Sequence, residues 1–153
     1  MVIIFCGVPG SGKSTIAKGL AAKLKKWGNY KLFVSDKVSR GVYKKIPQFL
    51  KENLGKVSFI LIDATFYKKK WRDMVYKIAK EKKEKVFTIY LHCQLKTCLK
   101  RNKERKPSIP EKAVHIIYHQ MEKPKKPDVS IDTDKVGPKE AISQILREIK
   151  KKS

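Results

Sequence analysis

The residues Gly7-Val8-Pro9-Gly10-Ser11-Gly12-Lys13-Ser14-Thr15 combine glycines, one lysine and adjacent hydroxyls at a spacing suited to phosphate chemistry. They fit G-x-x-x-x-G-K-[ST] without a mismatch. Glycines let a backbone curl until successive N–H groups point inward, and those donors together with the positive end of a helix dipole hold an anion. In such a loop the lysine reaches the β- and γ-phosphates of a nucleoside triphosphate, and the serine offers its hydroxyl to Mg²⁺. The assignment here is Gly7, Pro9, Gly10, Ser11, Gly12, Lys13, Ser14 and Thr15 around ATP, with Ser14 on the metal. A glycine-rich turn that binds nothing is the bland alternative. It fits poorly with the apolar strand-like run Val2–Cys6 before the loop and the helical spacing of Ile16, Ala17, Leu20, Ala21, Leu24 and Trp27 after it.

Phosphoryl transfer needs more than a cradle: a carboxylate near the acceptor hydroxyl, and cations around the moving group. Asp36 and Asp63 each follow a strand-like run. Asp36 is assigned to the acceptor hydroxyl and Asp63 to the metal side, with a share of the metal open to Asp36; capping a turn is the alternative for either. Arg101 and Arg105 are four apart and share a face if helical. Their cation-rich segment, about residues 100–110, is expected to be a lid that brings both guanidinium groups over the phosphates, the alternative being a solvated basic helix end. Arg40 and Arg72 are candidates to receive the acceptor, and Phe66 with Tyr67 to stack a base or ribose. Trp71 follows the apolar pattern of its own helix and is expected to pack.

The elements that must position these groups follow from periodicity. Strands are expected over 2–6, 31–35, 57–62, 86–91 and 129–131, the third apolar almost throughout, as a central parallel strand is. The stretch 37–56 allows one short helix interrupted by Pro47. Trp71, Met74, Val75, Ile78 and Ala79 mark the clearest amphipathic helix, with Lys69, Lys70, Arg72, Lys77 and Lys80 assigned to its other face. A helix from Leu95 is expected to run into 100–106, Ser108-Ile109-Pro110-Glu111 to act as a capping box, and Lys150-Lys151-Lys152 to fray. Strands alternating with helices predict an α/β fold: one domain over 1–153 built on a five-stranded parallel sheet. Ligands of such sheets bind beyond the carboxyl ends of the strands, which gathers the loop, Asp36 and Asp63 at one crevice.

Composition bounds the partner. Lys plus Arg number 37 against 14 Asp plus Glu, a formal charge of +23 on 153 residues. A small-acceptor kinase needs only a few cations, and the excess repels itself unless a polyanion meets it, which favours RNA over a Lys-rich, ion-paired surface. Three cysteines, Cys6, Cys93 and Cys98, are read as unpaired and point to a reducing, cytoplasmic setting; His92-Cys93 with Cys98 lacks a second ligand pair for a metal. The first residues enter the first strand at once and no long apolar run follows, so neither a signal peptide nor a membrane span is expected.

Taken together, the loop, Ser35-Asp36, Asp63-Ala64-Thr65-Phe66-Tyr67, Thr97-Cys98-Leu99-Lys100-Arg101-Asn102 with Arg105, Ile109-Pro110-Glu111 and Met121-Glu122-Lys123-Pro124 form a series that resembles the kinase domain of phosphoseryl-tRNA kinase. That family phosphorylates the serine carried on selenocysteine tRNA. The Asp and Arg-Asn-x-x-Arg pattern is also similar to polynucleotide 5′-kinase, and more loosely the chain is similar to adenylylsulfate kinase. The resemblance implies an ATP- and Mg²⁺-dependent kinase with Gly10, Gly12, Lys13, Ser14 and Thr15 on nucleotide and metal, Asp36 on the acceptor, Arg101 and Arg105 in the lid, and tRNA as acceptor or partner. Three features depart from it: Ser39 stands where that family has an arginine, with Arg40 one later; the stretch from Asp36 to Val57, which helps form the acceptor site, is shorter than in that family; and the chain is expected to lack the family's further tRNA-gripping domain. A small acceptor such as adenylylsulfate, and a nucleotide- and RNA-binding switch that transfers little, are the competing functions.

Overall fold

Every side chain of β1 (Val2–Cys6) is buried, and they part to two sides. Ile3 and Phe5 join one cluster with Ile16, Leu20 and Leu24 of α1 (Lys13–Leu24) and Ala141, Ile145 and Ile149 of α6 (Pro138–Lys152). Val2, Ile4 and Cys6 join another with Ile46 and Leu50 of α2 (Val42–Asn53) and Val75 and Ala79 of α3 (Lys69–Glu81). A strand apolar on both faces can only be central, and the period of two sends alternate residues to opposite helix layers. In this computed structural model, which describes residues 1–38 and 40–153 and only the backbone of Lys37, β1 lies in the middle of a parallel sheet ordered β2-β3-β1-β4-β5. The other strands are β2 (Tyr30–Val34), β3 (Phe59–Asp63), β4 (Val86–His92) and β5 (Val129–Asp132). The expected α/β architecture with five parallel strands is therefore present. Ser39 lies outside the described residues.

At the carboxyl edge of the sheet, α4 (Leu95–Glu104) and α5 (Glu111–Gln120) pack on each other through a third cluster around Val8, Cys93, Cys98 and Val114. This pair stands directly over the loop that joins β1 to α1. No helix among the described residues is long and apolar enough to cross a membrane.

Several local expectations are corrected. Pro47 does not interrupt α2; it sits inside a continuous helix. An interior proline disfavours a helix by about 3 kcal/mol, but burial of Ile46 and Leu50 on either side of it holds the segment to the sheet. Trp27 lies past the end of α1, 43 % exposed, with the Lys150 ammonium over its ring. Ser108 caps nothing: α5 starts at Glu111, with Pro110 as the residue before its first turn and no side-chain cap. The last lysines do not fray, since Lys152 donates to the Val86 carbonyl and to Asp128, fastening α6 to the sheet. Cys93 and Cys98 are joined as a disulfide, because the turn from β4 into α4 folds both sulfurs into the third cluster. That pairing removes the basis for reading the cysteines as a sign of a reducing compartment. Cys6 is free and buried, and burial pushes its thiol up to about 11.

Candidate active site

The loop between β1 and α1 owes its shape to contacts that exclude side chains. A Cβ on Gly10, which has φ 87°, would strike the carbonyl of Cys98 in α4. A Cβ on Gly7 would lie 2.5 Å from the carbonyl of Leu91. Gly12, at φ 99°, precedes α1 without any side-chain cap. The first amides of a helix have no partner within it, so those of Lys13, Ser14 and Thr15 are open to an anion. Ser11 contributes differently from expectation: its hydroxyl is fully buried without a hydrogen-bond partner among the described residues, and its amide donates to the Val8 carbonyl. Pro9, Gly10, Gly12, Lys13, Ser14 and Thr15 line a cavity of about 480 Å³ that opens at the carboxyl ends of β1, β2 and β3.

The same cavity gathers Asp36, Asp63, Arg101 and Arg105. Asp63 ends β3 in register with Phe5 of β1 and Val34 of β2. It is 2 % exposed, and its carboxylate accepts a hydrogen bond from the Ser14 hydroxyl at 2.8 Å. Burial raises its pKa, and the charge of Lys13 and the bond from Ser14 pull the other way. Lys13 is itself buried, so desolvation lowers its pKa while Asp63 and then Asp36 work to keep it charged. Its ammonium donates to the Val8 carbonyl at 3.0 Å. A hydroxyl and a carboxylate paired beside a buried lysine are oxygen donors suited to a hard divalent cation such as Mg²⁺.

Asp36 sits in a single 3-10 turn (Ser35–Lys37) just past β2. Its side chain is 35 % exposed and forms an ion pair with Arg105 from the far side of the cavity. Arg101 behaves otherwise. It donates to the hydroxyl and carbonyl of Thr133, each at 2.8 Å, and to the Gly10 carbonyl at 3.3 Å. Thr133, which follows β5, in turn donates to the Ser11 carbonyl. Sharing a helical segment therefore does not give the two arginines one task. Arg101 braces the phosphate loop against the end of the sheet, and Arg105 crosses the mouth to a carboxylate.

The residues assigned to the acceptor differ more from the sequence reading. Phe66 is fully buried at φ 45° and packs edge-on to Tyr43, so it offers no stacking face. Tyr67 is half-buried, edge-on to Trp71, whose indole stacks on Tyr43 with centroids 3.9 Å apart. Arg72 is 4 % exposed and donates to the Phe66 carbonyl at 2.6 Å, so it meets no ligand directly. Helical spacing held the signal: Arg72 precedes Val75 by three and Ala79 by seven, which puts it on the buried side. Arg40 is exposed and does not line the cavity. Of the lysines assigned to α3, Lys69 pairs with Asp73 and Lys70 lies over the Trp71 ring. Sequence reasoning missed Thr65, which lines the cavity two residues past Asp63, and Thr133.

A second hollow adjoins the first, lined by Gly12, Thr15, Ile16, Arg101 and the segment Thr133–Pro138. It shares Gly12, Thr15 and Arg101 with the first cavity, and Asp36 is not part of its lining.

Comparison with known proteins places this geometry. The family profile described as "Chromatin associated protein KTI12" matches residues 1–153. The L-seryl-tRNA(Sec) kinase of Methanococcus maripaludis is 29 % identical over 166 aligned residues, covering 95 % of this chain and 65 % of its own length. This chain thus spans slightly less than two thirds of that relative, and the matches to the human and mouse kinases of the same name cover 19 % and 18 % of theirs. The probable adenylyl-sulfate kinase of Halalkalibacterium halodurans is 30 % identical, with 94 % of this chain and 80 % of the relative covered. Among solved structures, Chaetomium thermophilum Kti12 in complex with ADP-AlF3 superposes with a TM-score of 0.81 at 17 % identity, over 97 % of this chain and 99 % of that one. The last is a likeness of fold.

Proposed function

The chain belongs to the KTI12 family, and on that premise we propose that it is an ATP-dependent kinase that phosphorylates a hydroxyl carried on RNA. One observation carries the kinase reading. An uncapped helix N-terminus, a buried lysine, a Ser14–Asp63 pair and a second carboxylate, Asp36, border one cavity. That is the inventory phosphoryl transfer calls for. The competing switch function has no use for Asp36, which is not needed to hold a nucleotide.

In this reading the triphosphate lies on the amides of α1 with Lys13 against its terminal phosphates. Magnesium, when bound, would neutralise charge on the phosphate oxygens, and Ser14 and Asp63 are the residues to hold it. Asp36 orients the acceptor hydroxyl and takes its proton as the acceptor oxygen bonds to the γ-phosphorus. The bond from that phosphorus to the bridging oxygen breaks, and ADP leaves with the electron pair. Asp36 can serve only when Arg105 releases it, and the γ-phosphate is the natural competitor for that guanidinium. Residues 100–110 thereby act as a lid in which Arg105 is the moving contact and Arg101 the fixed one.

RNA as the bearer of the acceptor is supported by the charge of +23 and by the seryl-tRNA(Sec) kinase similarity along nearly the whole chain. The second reading, adenylylsulfate as acceptor, is supported by the identity to the H. halodurans protein. Incubation with γ-labelled ATP and, separately, total tRNA, a single-stranded RNA with a free 5′ end, and adenylylsulfate distinguishes them. Label on tRNA is the expected result. Label on the single strand alone points to end phosphorylation, label on adenylylsulfate alone replaces RNA with the small acceptor, and ATP binding without labelled product supports the switch. Binding to tRNA should also weaken by roughly 10³–10⁵ between 50 and 200 mM salt, as six to ten phosphate contacts imply. A flat salt response would remove RNA as partner.

A further inference from the structure

The loop after β3 is tied at three successive residues, Thr65, Phe66 and Tyr67. The Thr65 carbonyl accepts from the Gly7 amide, the Phe66 amide donates to the Tyr43 hydroxyl, and the Phe66 carbonyl accepts from Arg72. The Tyr67 carbonyl accepts from the Glu122 amide. A segment held from the phosphate loop, α2, α3 and the stretch just past α5 at once is a fixed wall, and the residue it contributes to the cavity lining is Thr65.

The direction of one hydrogen bond then decides what that side chain offers. Thr65 Oγ1 lies 2.9 Å from the Tyr43 hydroxyl, and either could donate. The Phe66 amide can only donate, so the Tyr43 oxygen accepts there, at 2.9 Å. Tyr43 is half-buried, and Thr65 Oγ1 is the one acceptor within reach of its hydrogen among the described residues. The Tyr43 oxygen is already used as an acceptor by the Phe66 amide, and an unmade donor in a half-buried site carries a cost, so we assign Tyr43 as the donor to Thr65. The hydrogen of the Thr65 hydroxyl then has no protein acceptor among the described residues, on a side chain that lines the cavity with Ser14, Asp36 and Asp63.

We propose that Thr65 is a further binding residue of this site, donating a hydrogen bond to a proton-free oxygen of the phosphoryl group in transfer. The inference rests on the kinase reading for the identity of that group. An acceptor hydroxyl brings its own hydrogen and is matched by Asp36, which can only accept. A phosphoryl oxygen lacks a hydrogen and is matched by Thr65. The two side chains sort the two reactants by hydrogen-bond polarity.

The test needs no acceptor. Equilibrium binding of ADP, and of ADP with aluminium fluoride, both with magnesium, is measured for the native protein, Thr65→Val and Thr65→Ser, with melting temperature as a control on folding. The native protein should bind ADP more tightly when aluminium fluoride is present. Thr65→Val should bind ADP alone as the native protein does and lose about tenfold or more in the aluminium fluoride complex, as for a hydrogen bond to a charged group. Thr65→Ser should restore it. Equal losses in both complexes would reduce Thr65 to a structural role, and no loss, no rescue by serine, or no tightening in the native protein would each overturn the inference. A Thr65-dependent tightening in a protein that labels none of the acceptors tried would uphold Thr65 and refute the kinase reading instead.

Discussion

Asp63 and Asp36 stand at the carboxyl ends of neighbouring strands and border one cavity, yet their surroundings are opposite. Asp63 ends β3, with strands on both sides, and is buried with its carboxylate on Ser14. Asp36 follows β2, the edge strand, and is partly exposed with its carboxylate on Arg105 of a different element. Sheet position causes the difference. A central strand delivers its last residue into the middle of the molecule, where only a fixed partner can satisfy a charge. An edge strand delivers its last residue to the rim, where a partner can come and go. In the kinase proposed above, the first carboxylate would hold a fixed relation among Ser14, a cation and phosphate, and the second would change partners during a cycle.

The sharpest way to break this division is Asp36→Asn, which keeps the side-chain shape and removes its basicity. Transfer to a hydroxyl should fall by about 10²–10⁴, the range for a lost general base, while ADP affinity by calorimetry stays unchanged. Survival of transfer in that variant would make Asp36 a turn residue that happens to meet Arg105. Asp63→Asn should cost less, about 10–100-fold in activity or in the magnesium needed for half-maximal rate, as when a group that helps to hold and orient a metal is lost. Excess magnesium should recover part of the Asp63→Asn loss and none of the Asp36→Asn loss. Equal recovery would merge the two roles.

Burial also gives Asp63 a signature in stability. Its pKa is raised in the folded protein without ligand, so the folded form holds that proton more tightly than the unfolded chain does. This contribution is complete below the unfolded carboxylate range and is lost as pH rises through that range toward the raised value. Melting temperature of Asp63→Asn should therefore decline less than that of the native protein across the weakly acidic interval.

The division is partly legible in the amino-acid sequence. Strand patterning puts an aspartate after two parallel strands, and the rule for open α/β sheets sends both to one crevice. Which strand lies at the edge is not legible, since the order β2-β3-β1-β4-β5 depends on crossovers that periodicity does not encode. The phosphate loop is legible because glycine spacing and helix start are both local. The loop after β3 is not. Phe66 and Tyr67 follow a strand in a loop-like stretch, and only the left-handed backbone at Phe66, fixed by Tyr43 and Arg72 from two other elements, turns that ring inward. Trp27 and Pro47 mislead for a related reason. Pattern marks what a residue prefers, whereas the end of α1 and the packing of α2 are set by neighbours distant in sequence.

Arg101 and Arg105 carry the same contrast into the lid, with smaller consequences. Both lie in or just past α4, and both bond across the cavity region, so truncating either to alanine removes one guanidinium. The stability effects should nonetheless differ. Arg101 makes bonds to Thr133 and Gly10 that link the phosphate loop to the end of the sheet. Losing bonds from a charged donor, with partners left partly buried, costs about 1–3 kcal/mol, or on the order of 2–4 °C in melting temperature per kcal/mol for a domain this large. Arg105 makes one half-exposed ion pair, a class of contact worth about 0–1 kcal/mol, and its removal should leave the melting temperature nearly unchanged. Nucleotide should reverse the ranking in one respect. If Arg105 leaves Asp36 for the terminal phosphate, Arg105→Ala should lower the extra melting temperature gained from a non-hydrolysable ATP analogue over that gained from ADP. Arg101→Ala should lower both gains together, because it loosens the loop that holds either nucleotide. Calorimetric scans of the two variants with each nucleotide decide the point. A pattern in which Arg101→Ala alone loses the ATP-specific gain would exchange the roles assigned to the two arginines and leave Asp36 with a permanent partner.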